Sequence, residues 1–266
     1  MLYRACGMFC AGALVLVGLS GCPSQRVSAT DDLAATAALS PGGTLKVISR
    51  TGAIEVTTWN QSTVALEATR TVELFAGPFN EPGDPEDFLD DIDVTVTGGG
   101  DEVEIMVDWP ENWALSGLLA GVDLELLVPA GAAVEIEHRN GPVEIDGVEG
   151  GIDLDLGNGQ ATLDDVDGDM DISVGAGAVD LDHPRVPLAT AQIRVEVGTG
   201  EIVFSLPEES AFEIEADVSI GGITIDDFPI TPELGGTGAS VFAVLGEGGA
   251  RIDLEVGVGN IGLDAL

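Results

Sequence analysis

The densest set of potential metal ligands is Asp164-Asp165-Val166-Asp167-Gly168-Asp169. Carboxylates are hard oxygen donors, and calcium gathers roughly six to eight such oxygens. Asp146 and Asp182 stand 18 residues before and after Asp164. The candidate calcium set is therefore Asp146, Asp164, Asp165, Asp167, Asp169 and Asp182. The order departs from an EF-hand, where a glycine sits sixth after spaced acids, and Gly168 does not fall there. The tandem Gly-Gly-x-Gly-x-Asp nonapeptides of calcium β-rolls are also absent. Solvated turns are the competing reading, and calcium is the one cofactor the acids suggest.

Other chemistry is sparse, and no catalytic residues are assigned. His138 and His183 are far apart in the chain, with no cysteine or third histidine to complete a zinc set. A Gly-x-Ser-x-Gly nucleophile elbow is missing. Trp59, Trp109 and Trp113 could stack on sugars, but large aromatics bury well, and capping the end of a core is the expected role.

Cys22 is the third candidate. A charged start at Arg4, an apolar stretch Ala11–Leu19 too short for a comfortable span, and Leu19-Ser20-Gly21-Cys22 describe a secretory signal. The four-residue box resembles that of bacterial lipoproteins, which implies cleavage after residue 21 and lipid on the Cys22 thiol. Pro23, rather than Asp, leans towards the outer membrane by the same resemblance. Cys6 and Cys10 leave with the signal, so no disulfide is expected although the chain is exported. Residues 22–43 are small and polar and read as the lipidated Cys and a flexible tether, leaving 44–266 as one β-domain.

The elements that must position the acids follow a repeat. Asn140-Gly141-Pro142-Val143-Glu144-Ile145 returns as Asn158-Gly159-Gln160-Ala161-Thr162-Leu163 and as Ala176-Gly177-Ala178-Val179-Asp180-Leu181, 18 residues apart each time. Ile152-Asp153-Leu154-Asp155-Leu156 has the same offset from Met170-Asp171-Ile172-Ser173-Val174. Within units the apolar residues alternate with polar ones, the strand signature. Gly and Asn bound each run and suit turns. The expected fold is all-β: a single-domain parallel β-solenoid of stacked ~18-residue coils. Leu163 should then lie between Ile145 and Leu181, and Asp146, Asp164 and Asp182 should form a like-charged column at about 4.8 Å spacing.

Before the repeat the pattern is less regular and antiparallel. Ile92–Thr97 and Val103–Val107 read as a hairpin, and Pro85–Leu89 as one helical turn. After Leu181 the period loosens, with further copies at Gly200, Gly221 and Gly259 and a long loop, with one short strand at Val241–Leu245, over Pro229–Gly248.

The formal net charge is −38, with only nine Lys and Arg in 266 residues. Such a surface repels nucleic acid and anionic polymers. A β-helical polysaccharide-cleaving enzyme is the alternative, but it needs basic groups to hold uronates, and the cations look scattered.

Val56-Thr57-Thr58-Trp59, then Leu126-Leu127-Val128-Pro129-Ala130-Gly131, then repeated Asn-Gly-x-Val units resemble the bacterial "putative adhesin" domain. The resemblance spans Leu45–Leu266 and implies an exported β-solenoid, often a lipoprotein, with no defined catalytic residues. Together with the signal and the charge, this points to a non-catalytic binding, adhesion or scaffold role in the envelope, with an unknown protein or glycan partner; the acid columns offer a calcium-stabilised envelope component as an alternative.

Overall fold

The computed structural model describes residues 26–75, 84–110 and 118–266. Cys22, the signal segment and Trp113 lie outside the described residues.

The chain runs β1 (Arg26–Thr51), β2 (Ile54–Trp59), β3 (Thr63–Phe75), a short helix α1 (Pro85–Leu89), then β4 (Asp93–Gly98) and β5 (Gly100–Asp108). Next come β6 (Leu118–Pro129), β7 (Ala133–Asn140), β8 (Val143–Asp146), β9 (Ile152–Asp164) and β10 (Met170–Asp182). The last elements are β11 (Gln192–Leu206), β12 (Phe212–Asp226), β13 (Glu233–Gly235), β14 (Gly238–Val244) and β15 (Ala250–Ala265).

The repeat register is present as expected. Ile145 pairs with Leu163 across β8 and β9, and Leu163 with Leu181 across β9 and β10. All three are fully buried. The column continues from Leu181 to Phe204 on β11 and from Phe204 to Leu263 on β15, so one apolar ladder crosses five parallel strands. The hairpin of β4 and β5 and the α1 turn also form where expected.

The fold class is corrected. The chain is not a single parallel β-solenoid, because seven strands close into a barrel and the others continue outside it. Following the hydrogen bonds, β1 pairs β3, β3 pairs β6, β6 pairs β2, β2 pairs β8, β8 pairs β9, β9 pairs β7, and β7 pairs β1. Two of these pairings, β1–β3 and β3–β6, are antiparallel. Closure has a local cause. The first half of β9 pairs with β7 and its second half with β8, so one bent strand serves both ends of the path. The 26-residue β1 is likewise shared, its first half with β3 and its second with β5 and β7.

Two further differences follow. Arg26–Gly43, expected as part of a flexible tether, is the first part of β1, with Arg26 opposite Phe75 and Ala38 opposite Thr63. Its alternating Leu33, Ala35 and Ala37 lie against the core, which rewards an extended conformation in spite of alanine's weak strand preference. The copies also do not stack in chain order after β11: β15 sits between β11 and β12.

The bend in β9 explains the repeated glycine. Ile152, Leu154 and Leu156 point inward before it, and Ala161 and Leu163 after it, so the buried parity flips within the strand. At the corner Gly159 has φ +157°, and a Cβ there would lie 2.0 Å from the Gly141 carbonyl oxygen. Only glycine turns the strand while letting the neighbouring backbone approach this closely. Gly177 and Gly200 repeat the arrangement on β10 and β11.

Candidate functional site

The outer face of β5, β1, β7 and β9 carries a groove of about 390 Å³. The parallel registers build it. Ile48 on β1 pairs with Met106 on β5 and with Glu137 on β7, and Glu137 pairs with Asp155 on β9. Arg50, Asp108 and Arg139 line the groove beside this row. Period 2 turns Arg50 and Arg139 outward while Ser49 and His138, their sequence neighbours, are buried.

Charges in the groove are partly paired. Arg50 reaches Asp108 at 3.4 Å and donates to the Trp109 carbonyl at 3.5 Å. Lys46, one outward position before Ile48, lies 3.0 Å from Glu137. The hydrogen bond and charge of Glu137 raise the Lys46 pKa. The Arg139 side chain has no hydrogen bond or ion pair among the described residues and stays available for an anionic group.

His138 is on the groove's inner side, but the residue is only 3% exposed. Nε2 lies 3.1 Å from the Gly52 carbonyl, and Nδ1 has no hydrogen-bond partner among the described residues. Burial lowers the His138 pKa, against the opposing pull of nearby backbone carbonyls. A buried ring kept neutral is a poor candidate for exchanging protons with a ligand in the groove. His183 is also buried, at 1% exposure, on the loop after β10.

The candidate calcium residues are placed along the strands and their turns. Asp146, Asp164 and Asp182 align at the ends of β8, β9 and β10 as the repeat requires. Burial raises the Asp182 pKa, and the charges of Asp164 and Asp180 raise it further, while His183 opposes them. The denser cluster serves local structure. Asp167 accepts from the Gly168 N–H at 2.7 Å, and Asp169 from the Gln192 N–H at 2.9 Å. Asp165 pairs with Arg185 at 2.9 Å, and Arg185 also reaches Glu149 at 3.2 Å. Among the described residues, no three or more His, Cys, Asp or Glu side chains converge to hold a metal.

The tryptophans divide. Trp59 is half-buried and donates its indole N–H to the Thr63 carbonyl at 2.8 Å, closing the β2–β3 turn. Trp109 packs partly against the core beside the groove. Sequence reasoning took Lys46, Arg50 and Arg139 as scattered, yet a signal existed. Arg50 and Arg139 both sit two residues before a corner glycine, Gly52 and Gly141, and so occupy one slot of the repeat.

No family model and no curated protein matches this chain. Among solved structures, it is similar to a "putative cell adhesion protein" from Clostridium sporogenes at 16% identity and TM-score 0.48, covering 89% of this chain and 100% of that one. A "putative adhesin" from Bacteroides fragilis matches at 10% identity and TM-score 0.37, over 88% of this chain and 97% of that one. A "putative lipid binding protein" from Parabacteroides distasonis matches at 10% identity and TM-score 0.25, over 88% and 96%. All share too little with this chain to transfer a role.

Proposed function

We propose that this chain is an exported, non-catalytic binding protein of the bacterial envelope, anchored to the outer membrane by lipid on Cys22. The observation that carries the binding role is the groove on β5, β1, β7 and β9. It presents guanidinium and carboxylate groups outward, while the neighbouring imidazole of His138 is buried and its pKa is lowered. Guanidinium and carboxylate groups set side by side on one sheet face suit holding a ligand through charge-assisted hydrogen bonds. The unpaired Arg139 suits an anionic group, and Asp108, Glu137 and Asp155 suit hydroxyl or amide donors around it. Leu19-Ser20-Gly21-Cys22 supports the anchor.

The test has two parts. The overall charge repels long anionic polymers, so the ligands tested are short sugars and peptides carrying one carboxylate; calorimetric titration of residues 26–266 with them should give saturable binding, weakened about tenfold in Arg50→Ala/Arg139→Ala, as loss of a charge-assisted contact costs. Product release from any such substrate would overturn the non-catalytic reading. For the anchor, Cys22→Ser should move the protein from the membrane fraction to the soluble fraction of the exported pool. Unchanged membrane retention would refute lipidation.

A further inference from the structure

At one end of the sheet path, β14 presents an apolar strand edge. β14 pairs antiparallel with β12 from Ala239, opposite Val218, to Val244, opposite Glu213. On its other side, the three-residue β13 covers only Gly238–Ser240. Among the described residues, Val241–Val244 therefore has no strand partner on that side.

The direction of the free groups follows from one hydrogen bond. The Leu245 N–H donates to the Phe212 carbonyl at 2.8 Å, so position 245 faces β12. Backbone groups alternate sides along an antiparallel strand, so Ala243 and Val241 also face β12, and Phe242 and Val244 face outward. The N–H and C=O groups of Phe242 and Val244 are thus set to receive another strand.

Side chains at the same positions are apolar and uncovered. Phe242 is 69% exposed and Val244 53%. The edge Gly238–Val244 contains no charge and no proline, the usual protections of such an edge. Phe242, Val244, Pro229, Ile230 and Thr231 line a groove of about 610 Å³ along it.

The surrounding charge selects the occupant. Glu208, Glu209 and Asp227 line the groove, with no Lys or Arg among the described residues that line it. Glu213 and Glu215, directly opposite Val244 and Phe242 on β12, extend the acidic rim. A second copy would bring the same acids against these, in a chain of net charge −38.

We infer that the Val241–Val244 edge of β14 docks an extended segment of a basic partner protein by strand addition, with apolar residues on Phe242 and Val244 and Lys or Arg towards the acidic rim. The edge and the Arg50–Arg139 groove lie towards opposite ends of the sheet path, so neither reading rests on the other.

The probe is a fluorescein-labelled peptide alternating lysine and valine, with a glutamate–valine peptide as its charge-reversed control. Val244→Pro removes one outward N–H without touching the β12 pairing or the net charge. Phe242→Lys places a like charge on the edge, and it decides the matter if the proline variant unfolds. The lysine peptide should bind the parent protein, slow amide exchange at Phe242 and Val244, and bind each variant about tenfold more weakly. Equal binding to parent and variants would mean the peptide merely coats an acidic surface, and would overturn the proposal. So would absence of binding, equal binding of the glutamate peptide, or a parent dimer in sedimentation that Val244→Pro dissociates.

Discussion

Alanine at Gly177 should be among the most damaging single-methyl additions in the molecule, and the structure separates the reasons. Gly177 has φ +151°, a region that only glycine occupies without strain, and the strain costs about 1–2 kcal/mol. Its Cβ would also lie 1.6 Å from the Gly159 carbonyl oxygen. Reaching an ordinary 3.4 Å contact requires β9 and β10 to part by about 1.8 Å at that point. Adjacent strands sit about 4.8 Å apart, so this opening breaks the flanking backbone hydrogen bonds. Two lost bonds with buried groups left unpaired add about 2–3 kcal/mol. We expect a total of about 3–5 kcal/mol, a large share of a typical domain's stability.

Two companion substitutions divide the terms. Gly99 has φ +140°, but its Cβ would meet nothing nearer than the Ala38 carbonyl at 3.7 Å, so Gly99→Ala should cost only the dihedral strain, about 1–2 kcal/mol. Gly175 is outside the positive-φ region but its Cβ would lie 2.5 Å from the Gly157 carbonyl, so Gly175→Ala isolates the close approach. Urea unfolding, compared through the midpoint at constant slope, measures all three. If Gly177→Ala costs no more than Gly99→Ala, close backbone approach is not what the repeated glycine secures.

The ionisable groups give three more outcomes. Burial lowers the His138 pKa below its ordinary 6.5, so the unfolded chain takes up that proton first as pH falls. Stability should be full above about pH 6.5 and decline below it, and His138→Phe should flatten that decline in urea midpoints taken from pH 7 to 5. Asp182 behaves oppositely: its raised pKa makes the charged form unfavourable in the fold, a penalty that appears as pH rises past the ordinary 3.8. Asp182→Asn should therefore stabilise the protein at pH 7 and lose that advantage near pH 3, as thermal midpoints would show. Since Asp146, Asp164 and Asp182 form one column and the denser acids are tied to Gly168, Gln192 and Arg185, sodium chloride should raise the thermal midpoint by screening alone. Calcium at matched ionic strength should do no more, and a larger, chelator-reversible rise would identify a specific site.

What was legible in the chain was whatever the local pattern decides. Alternation in Ile152–Leu156 and Ala161–Leu163 fixes which side chains are buried, and equal spacing of Gly141, Gly159 and Gly177 fixes which residues become neighbours. Closure was not legible, because it depends on β1 and β9 each dividing between two partners, a choice made by competition among distant strands. The position of β15 has the same character: the units at Gly200, Gly221 and Gly259 are locally alike, and only the paired structure shows that Gly259 lies between the other two. The groove lies between these cases. Arg50 and Arg139 are 89 residues apart and look unrelated in a linear reading. Each, however, precedes a corner glycine by two residues, and corner glycines stack, since the Cβ position of Gly141 falls against the Gly52 carbonyl. Two cations in one repeat slot must therefore stand side by side on the outer face. In an acidic chain, where such pairs are few, that slot is where a search for an anion-binding surface should begin.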